Sequence, residues 1–122
     1  MEVRDINPSR PFSTQLAGAD KGPVTVIEMY LAPEGTVEAW IESWSKHAHL
    51  MKAQPGFISS QLYRGVGESR ALTDVTVWES AAALQNAISS QEHHETLSST
   101  PDGSVAYPIL MRRTAVNGIC VA

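Results

Sequence analysis

The chain has little cysteine. Cys120 is the single thiol in 122 residues, so no intrachain disulfide is possible, and a thiol without a basic, partly exposed setting is expected to be inert. Apolar runs are short as well: none approaches the roughly 20 residues a membrane helix needs. The opening stretch MEVRDINPSRPF lacks the apolar centre of a secretory signal, and these absences lead to the expectation of a cytoplasmic, soluble protein. Positive charge is sparse. Nine Lys and Arg residues stand against 13 Asp and Glu, for a net charge of -4, and the nine are scattered. Without a basic stripe, a nucleic-acid footprint is not expected. No Gly-rich cofactor loop is present, and no internal repeat or low-complexity tract.

What is present is an ordinary globular balance, 43% hydrophobic and 18% charged, in a length that suits one domain. A domain this small can bury a core but has little apolar surface left for a deep private cavity, a constraint that pairing two copies would ease. Residues 1–22 are rich in Pro, Ser, Gly and Asp without periodicity and read as a flexible arm, leaving 23–122 as the domain. VTVIEMYL, Val24 to Leu31, is rich in β-branched and aromatic residues and reads as a strand. From Thr36, a candidate N-cap, to Ala53 the period becomes helical, with Val37, Trp40, Ile41, Trp44, Ala48 and Met51 on one stripe. Gln54-Pro55-Gly56 stops that helix.

FISSQLYR (57–64) and ALTDVTVW (71–78) read as strands joined as a hairpin by GVGES. Ser80 caps a short helix over 81–89, a further turn or two covers 92–97, and 105–116 is a last strand. Pro108 inside that strand argues for an edge or a bulge. The order β-α-β-β-α-β is the ferredoxin-like, split βαβ arrangement, α+β in class, with helices on one face of a four-stranded antiparallel sheet. VTVIEMYL carries apolar residues on both faces, so a second copy is expected to cover the bare one as a homodimer.

The stretch from Val24 to about Leu97 resembles the antibiotic biosynthesis monooxygenase family, whose members are dimeric α/β barrels. The matching residues are VTVIEMY, a tryptophan-bearing helix, Gln54-Pro55-Gly56-Phe57, Leu62-Tyr63-Arg64 and Val77-Trp78-Glu79-Ser80 followed by Ala81-Ala82-Ala83-Leu84. The resemblance implies the fold more specifically than the activity, because the family hosts monooxygenases, haem-degrading enzymes, isomerases and cyclases. Its cofactor-free branch oxidises electron-rich polycyclic phenols such as anthrones to quinones. That branch carries a tryptophan at the end of the third strand, matched by Trp78, an amide four residues earlier and another amide on the first strand. Here those two positions hold Asp74 and Glu28, and an ionised acid accepts hydrogen bonds but cannot donate one to an oxyanion. The haem-degrading branch has a tryptophan and an iron-binding histidine where a gap-free match puts Ala87 and Leu97. His93 and His94 lie nearby but off register, and they read as a solvated helical turn.

Strand parity reads the same residues independently. Val24, Val26, Glu28 and Tyr30 share one face of their strand, and Leu72, Asp74, Thr76 and Trp78 one face of theirs. In a ferredoxin-like sheet these strands are central neighbours, so Glu28 and Asp74 are expected to face one space. A carboxylate in apolar surroundings has a raised pKa and suits general acid or base work. The alternative for each acid alone is a wet cavity mouth or a pairing with Arg64, Arg112 or Arg113. His47 borders the helical stripe, either reaching a pocket or packing on tryptophan at its edge, and His49 points away. H-x-H on a helix does not put both rings on one face, so no metal site is expected.

Trp40, Trp44, Trp78 and Tyr30 are either core or the walls of a site for a planar aromatic ligand. Tyr63 and Arg112 complete the candidate substrate-binding set, Arg112 for an anionic substituent.

The resulting expectation is a cofactor-independent monooxygenase acting on a polycyclic aromatic polyketide intermediate with dioxygen. Trp78, Asp74, Glu28 and His47 are its candidate catalytic residues. Two alternatives stand beside it: a cyclase or isomerase using the same acids, and a non-catalytic dimer that binds a small aromatic ligand.

Overall fold

Alternation in VTVIEMYL sends Val24, Val26 and Tyr30 into the core and leaves Met29 and Leu31 exposed on the other side of β2 (Val24–Leu31). In the computed structural model, which describes residues 1–19 and 21–122, β2 is the centre of a five-stranded sheet. Its partners are β4 (Ala71–Trp78) and β5 (Val105–Met111), both antiparallel to it. β3 (Phe57–Arg64) pairs with β4 as the expected hairpin, with a bulge between Phe57 and Ser59. The helices α2 (Val37–Lys52), α3 (Ala81–Ile88) and α4 (Gln91–Leu97) complete the ferredoxin-like order.

The expected four-stranded antiparallel sheet gains a fifth strand. β1 (Glu2–Val3) pairs parallel to β5, so the order is β1-β5-β2-β4-β3 and the sheet is mixed. It remains open within the chain, with β1 and β3 as edges, and is not a closed barrel. The segment read as an arm also carries α1 (Phe12–Gly18), whose Leu16 enters the core, while Asp20 lies outside the described residues. Asp5 accepts from the Phe12 N–H at 2.9 Å and ties down the start of α1.

The last strand ends at Met111, five residues earlier than the expected Val116, and the chain beyond it is exposed. Pro108 behaves as an edge residue although β1 lies outside β5, because β1 pairs only with Val105 and Ala106. Pro108 has no N–H to satisfy on that side. Two residues on, the Leu110 N–H finds the Gln15 side chain of α1 at 2.9 Å.

Ser80 and Ser90 cap α3 and α4, accepting from the Ala83 and His93 N–H groups at 3.1 Å. Thr36 stands at the start of α2 but does not cap it with its side chain. Its hydroxyl donates instead to the Pro33 carbonyl.

Gly56 has φ +88°, and a Cβ there would collide with that of Ala83 on α3. Its carbonyl accepts the Glu79 N–H at 2.8 Å, so the Pro-Gly-Phe and Trp-Glu-Ser segments meet through this one residue. One core cluster (Val24, Val26, Trp78, Leu84) lies under α3, and another (Tyr30, Trp40, Leu72) lies under the start of α2. Between them the helix-facing side of the sheet is polar, and that gap is the candidate site.

Candidate functional site

Register places Glu28 directly opposite Asp74 across β2 and β4, with Pro108 of β5 on the other flank of Glu28. Facing pairs of this kind bring Cβ atoms to about 4.5–5.5 Å, so the two acids share one environment. Asp74 is buried and holds two donors on the same oxygen: the Tyr30 hydroxyl and the Trp44 indole N–H each donate to Oδ2 at 2.9 Å. Oδ1 is buried without a partner. Glu28 lies deep among protein atoms yet keeps partial exposure because it borders the cavity.

Burial is the main cause that pushes Glu28 up to about 8, with the neighbouring Asp74 charge adding to the rise and a hydrogen bond to Tyr30 opposing it. Burial also pushes Asp74 up, to about 6, against the bonds from Trp44 and Tyr30 that favour its ionised form. The two acids titrate as one unit that retains a proton into the neutral range, and the two donors on Oδ2 favour the charge on Asp74 and the proton on Glu28. The Tyr30 hydroxyl is pushed well above its ordinary range by burial and by both acids, so it stays protonated as a donor to Asp74.

The cavity beside the pair has a volume of about 50 Å³ and is bounded by Glu28, Asp74, Thr76 and Trp78 of the sheet, Trp44, His47 and Met51 of α2, Leu84 and Ile88 of α3, His93 of α4 and Phe12 of α1. The described residues leave four buried side-chain polar atoms without partners. Three of them belong to cavity-lining residues: Asp74 Oδ1, Trp78 Nε1 and His93 Nδ1. Natural proteins rarely leave such atoms unpaired, and those that remain mark places where water or a ligand completes the bonding.

Five of the expected site residues, Glu28, Asp74, Trp44, Trp78 and His47, thus meet at one cavity. Tyr30 acts behind them through Asp74, and Trp40 packs on Tyr30 with ring centroids 4.5 Å apart. Tyr63 and Arg112 stand apart from the cavity. Tyr63 pairs with Thr73 on the opposite sheet face and is 58% exposed. Arg112 follows β5 at the surface, its Nε 3.4 Å from the Pro23 carbonyl.

His93 was expected in solvent, yet its ring lies 4.7 Å from that of His47. Burial, aided by His47 and His94, holds His93 down at about 4, and burial alone lowers His47. The Thr96 hydroxyl lies 2.9 Å from both the His93 carbonyl and His47 Nδ1; when it donates to the carbonyl, Nδ1 of His47 donates to it in turn and Nε2 keeps its lone pair. Among the described residues no group of three or more His, Cys, Asp or Glu side chains is arranged to hold a metal ion. No helix among them is long and apolar enough to cross a membrane.

Residues 23–98 match the family model described as antibiotic biosynthesis monooxygenase. A solved structure from Shewanella loihica PV-4, described as a candidate monooxygenase, is 31% identical, with 80% of this chain and 100% of that one covered at a TM-score of 0.68. SnoaB from Streptomyces nogalater, a cofactor-independent oxygenase, is 16% identical, with 80% and 98% covered at a TM-score of 0.72. A similar protein from Caulobacter crescentus CB15 is 18% identical, with 80% and 92% covered at a TM-score of 0.64. No curated protein gives a significant match.

Proposed function

The chain belongs to the antibiotic biosynthesis monooxygenase family, and from that premise we propose that it is a cofactor-independent monooxygenase that oxidises an anthrone- or naphthol-like polyketide intermediate to a quinone or hydroxylated product. The observation that carries this reading is the facing pair Glu28 and Asp74, one protonated and one ionised, at a cavity lined by Trp44 and Trp78. A protonated carboxyl has one O–H donor and one carbonyl acceptor, so Glu28 offers a ligand oxygen the same donor that an amide would. Asp74, with Oδ1 unpartnered, is the base.

In this mechanism Asp74 takes the proton from the benzylic or phenolic position of the bound ring. Glu28 donates to the ring oxygen on which negative charge develops. The carbanion passes one electron to dioxygen, and the substrate radical and superoxide recombine as a C–O bond. The peroxide takes up the proton held by Asp74, which then removes the second proton from the same carbon. The C–H electron pair forms the carbonyl as the O–O bond breaks, and the departing hydroxide takes that proton from Asp74 and leaves as water. An anthrone and one dioxygen give one quinone and one water, with the substrate supplying the electrons. Trp78 and Trp44 hold the ring plane, and Nε2 of His47 is an acceptor at the wall.

Incubation with dithranol under ¹⁸O₂ tests the proposal. One labelled oxygen in the quinone, formed only with protein present, is the expected result. Unlabelled quinone, or none, overturns it.

The same reading includes a homodimer. Met29, Leu31 and Met111 are exposed on the sheet face turned away from the helices, where a second copy would cover them. A monomer mass by light scattering at micromolar protein would contradict that part.

A further inference from the structure

A cavity of about 50 Å³ holds only a few waters, whereas ligand sites typically span about 300–1,000 Å³. The space a polycycle needs adjoins it. Between α2 and β3 runs an open groove of about 440 Å³ that shares Trp44, Ala48, Phe57 and Ser60 with the cavity as common walls. Beyond those four it is lined by Ser45, His49, Lys52, Ile58 and Ser59.

The charge of this groove differs from that of the chain as a whole. The sequence carries 13 acids against nine Lys and Arg, yet no acid lines the groove and Lys52 does. Lys52 is exposed in the last turn of α2, and the described ion pairs, Arg4 with Glu2 and Arg64 with Glu38, leave it without one. His49, one turn earlier, adds a ring nitrogen on the same wall. The inner end of the combined space is acidic, at Glu28 and Asp74, and the outer end is cationic.

We propose that the groove between α2 and β3 is the outer subsite for the substrate, and that it selects planar phenols bearing an acidic substituent, a carboxylate, which Lys52 receives. This rests on the reading above that the cavity takes an aromatic ring, and it adds the orientation: hydroxyl inward to the acid pair, carboxylate outward to Lys52. The indole of Trp44, a wall of both spaces, is the surface over which the ring system passes from one to the other.

The test compares 1,8-dihydroxyanthraquinone with its 3-carboxylate, by quenching of tryptophan fluorescence, in the wild type, Lys52→Ala and Lys52→Glu. The carboxylate should bind the wild type roughly three- to tenfold more tightly than the neutral compound. That preference should vanish in Lys52→Ala, reverse in Lys52→Glu and shrink at high salt, while the neutral compound binds all three alike. Equal affinities in the wild type, a preference that survives Lys52→Glu, or no binding of either compound would overturn the subsite. The carboxylate preference without oxygen uptake would leave the subsite standing and remove the oxygenase reading. Uptake without the preference would do the reverse.

Discussion

Glu28 and Asp74 face each other across β2 and β4 and share one proton at neutral pH. Their roles then follow from environment alone. Asp74 receives two donors on Oδ2 and stays ionised, and Glu28 stands between Asp74 and Pro108, where ionisation would add a second negative charge beside the first among buried groups. This is how two acids serve where one donor and one base are required.

The pH profile of turnover should be bell-shaped. The acid limb belongs to ionisation of Asp74 near about 6, and the basic limb to loss of the Glu28 proton near about 8. Glu28→Gln keeps a neutral donor, so activity should stay within about tenfold of wild type while the basic limb disappears. A basic limb unchanged in Glu28→Gln would show that another group sets it.

Trp44 is more than a wall, because its indole N–H stabilises the ionised Asp74 at 2.9 Å. Trp44→Phe removes that bond and keeps most of the packing. A hydrogen bond to a charged group is worth about 1.5 kcal/mol, so the acid limb should move up by about one pH unit. A limb that stays in place would break the link between Trp44 and Asp74.

Stability should carry the mark of Glu28 as well. In the unfolded chain this acid ionises near its ordinary value of 4.5, whereas in the fold it holds its proton up to about 8. Its contribution is therefore fully present below about 4.5 and is lost as pH rises toward about 8, on the order of a few kcal/mol. Glu28→Gln should melt above the wild type at pH 8, with the gap closing at pH 5. Equal gaps at both pH values would argue against a buried, protonated Glu28.

Much of this arrangement was legible in the sequence, for local reasons. The alternation in VTVIEMYL and ALTDVTVW set parity, and central neighbours in a split βαβ sheet bring Glu28 and Asp74 together, as the register shows. What could not be read came from long-range docking. His93 faces His47 because α4 packs on α2, and no period within QEHHETL announces that contact. Phe12 lines the cavity because Leu16 anchors α1 in the core, whereas a polar stretch with one Phe and one Leu gives no periodic signal. Tyr63 stands in the family-like segment Leu62-Tyr63-Arg64, but the register turns it to the opposite face.

Gly56 gives a prediction for the fold. A side chain there must adopt φ +88° and also collide with Ala83. Gly56→Ala should cost about 2–5 kcal/mol, the sum of left-handed strain and overpacking, measured by denaturant unfolding. A loss below about 1 kcal/mol would mean that α3 shifts freely and that the contact does not fix Leu84 and Ile88 at the cavity wall.

The most direct test of the central claim is oxygen consumption by chelator-treated protein given dithranol, with autoxidation subtracted, in the wild type and in Asp74→Asn. Uptake matched mole for mole by quinone, unaffected by the chelator and reduced about 10²- to 10⁴-fold in Asp74→Asn, is the predicted result. Uptake by Asp74→Asn equal to wild type, or none by wild type that binds the compound, would contradict it.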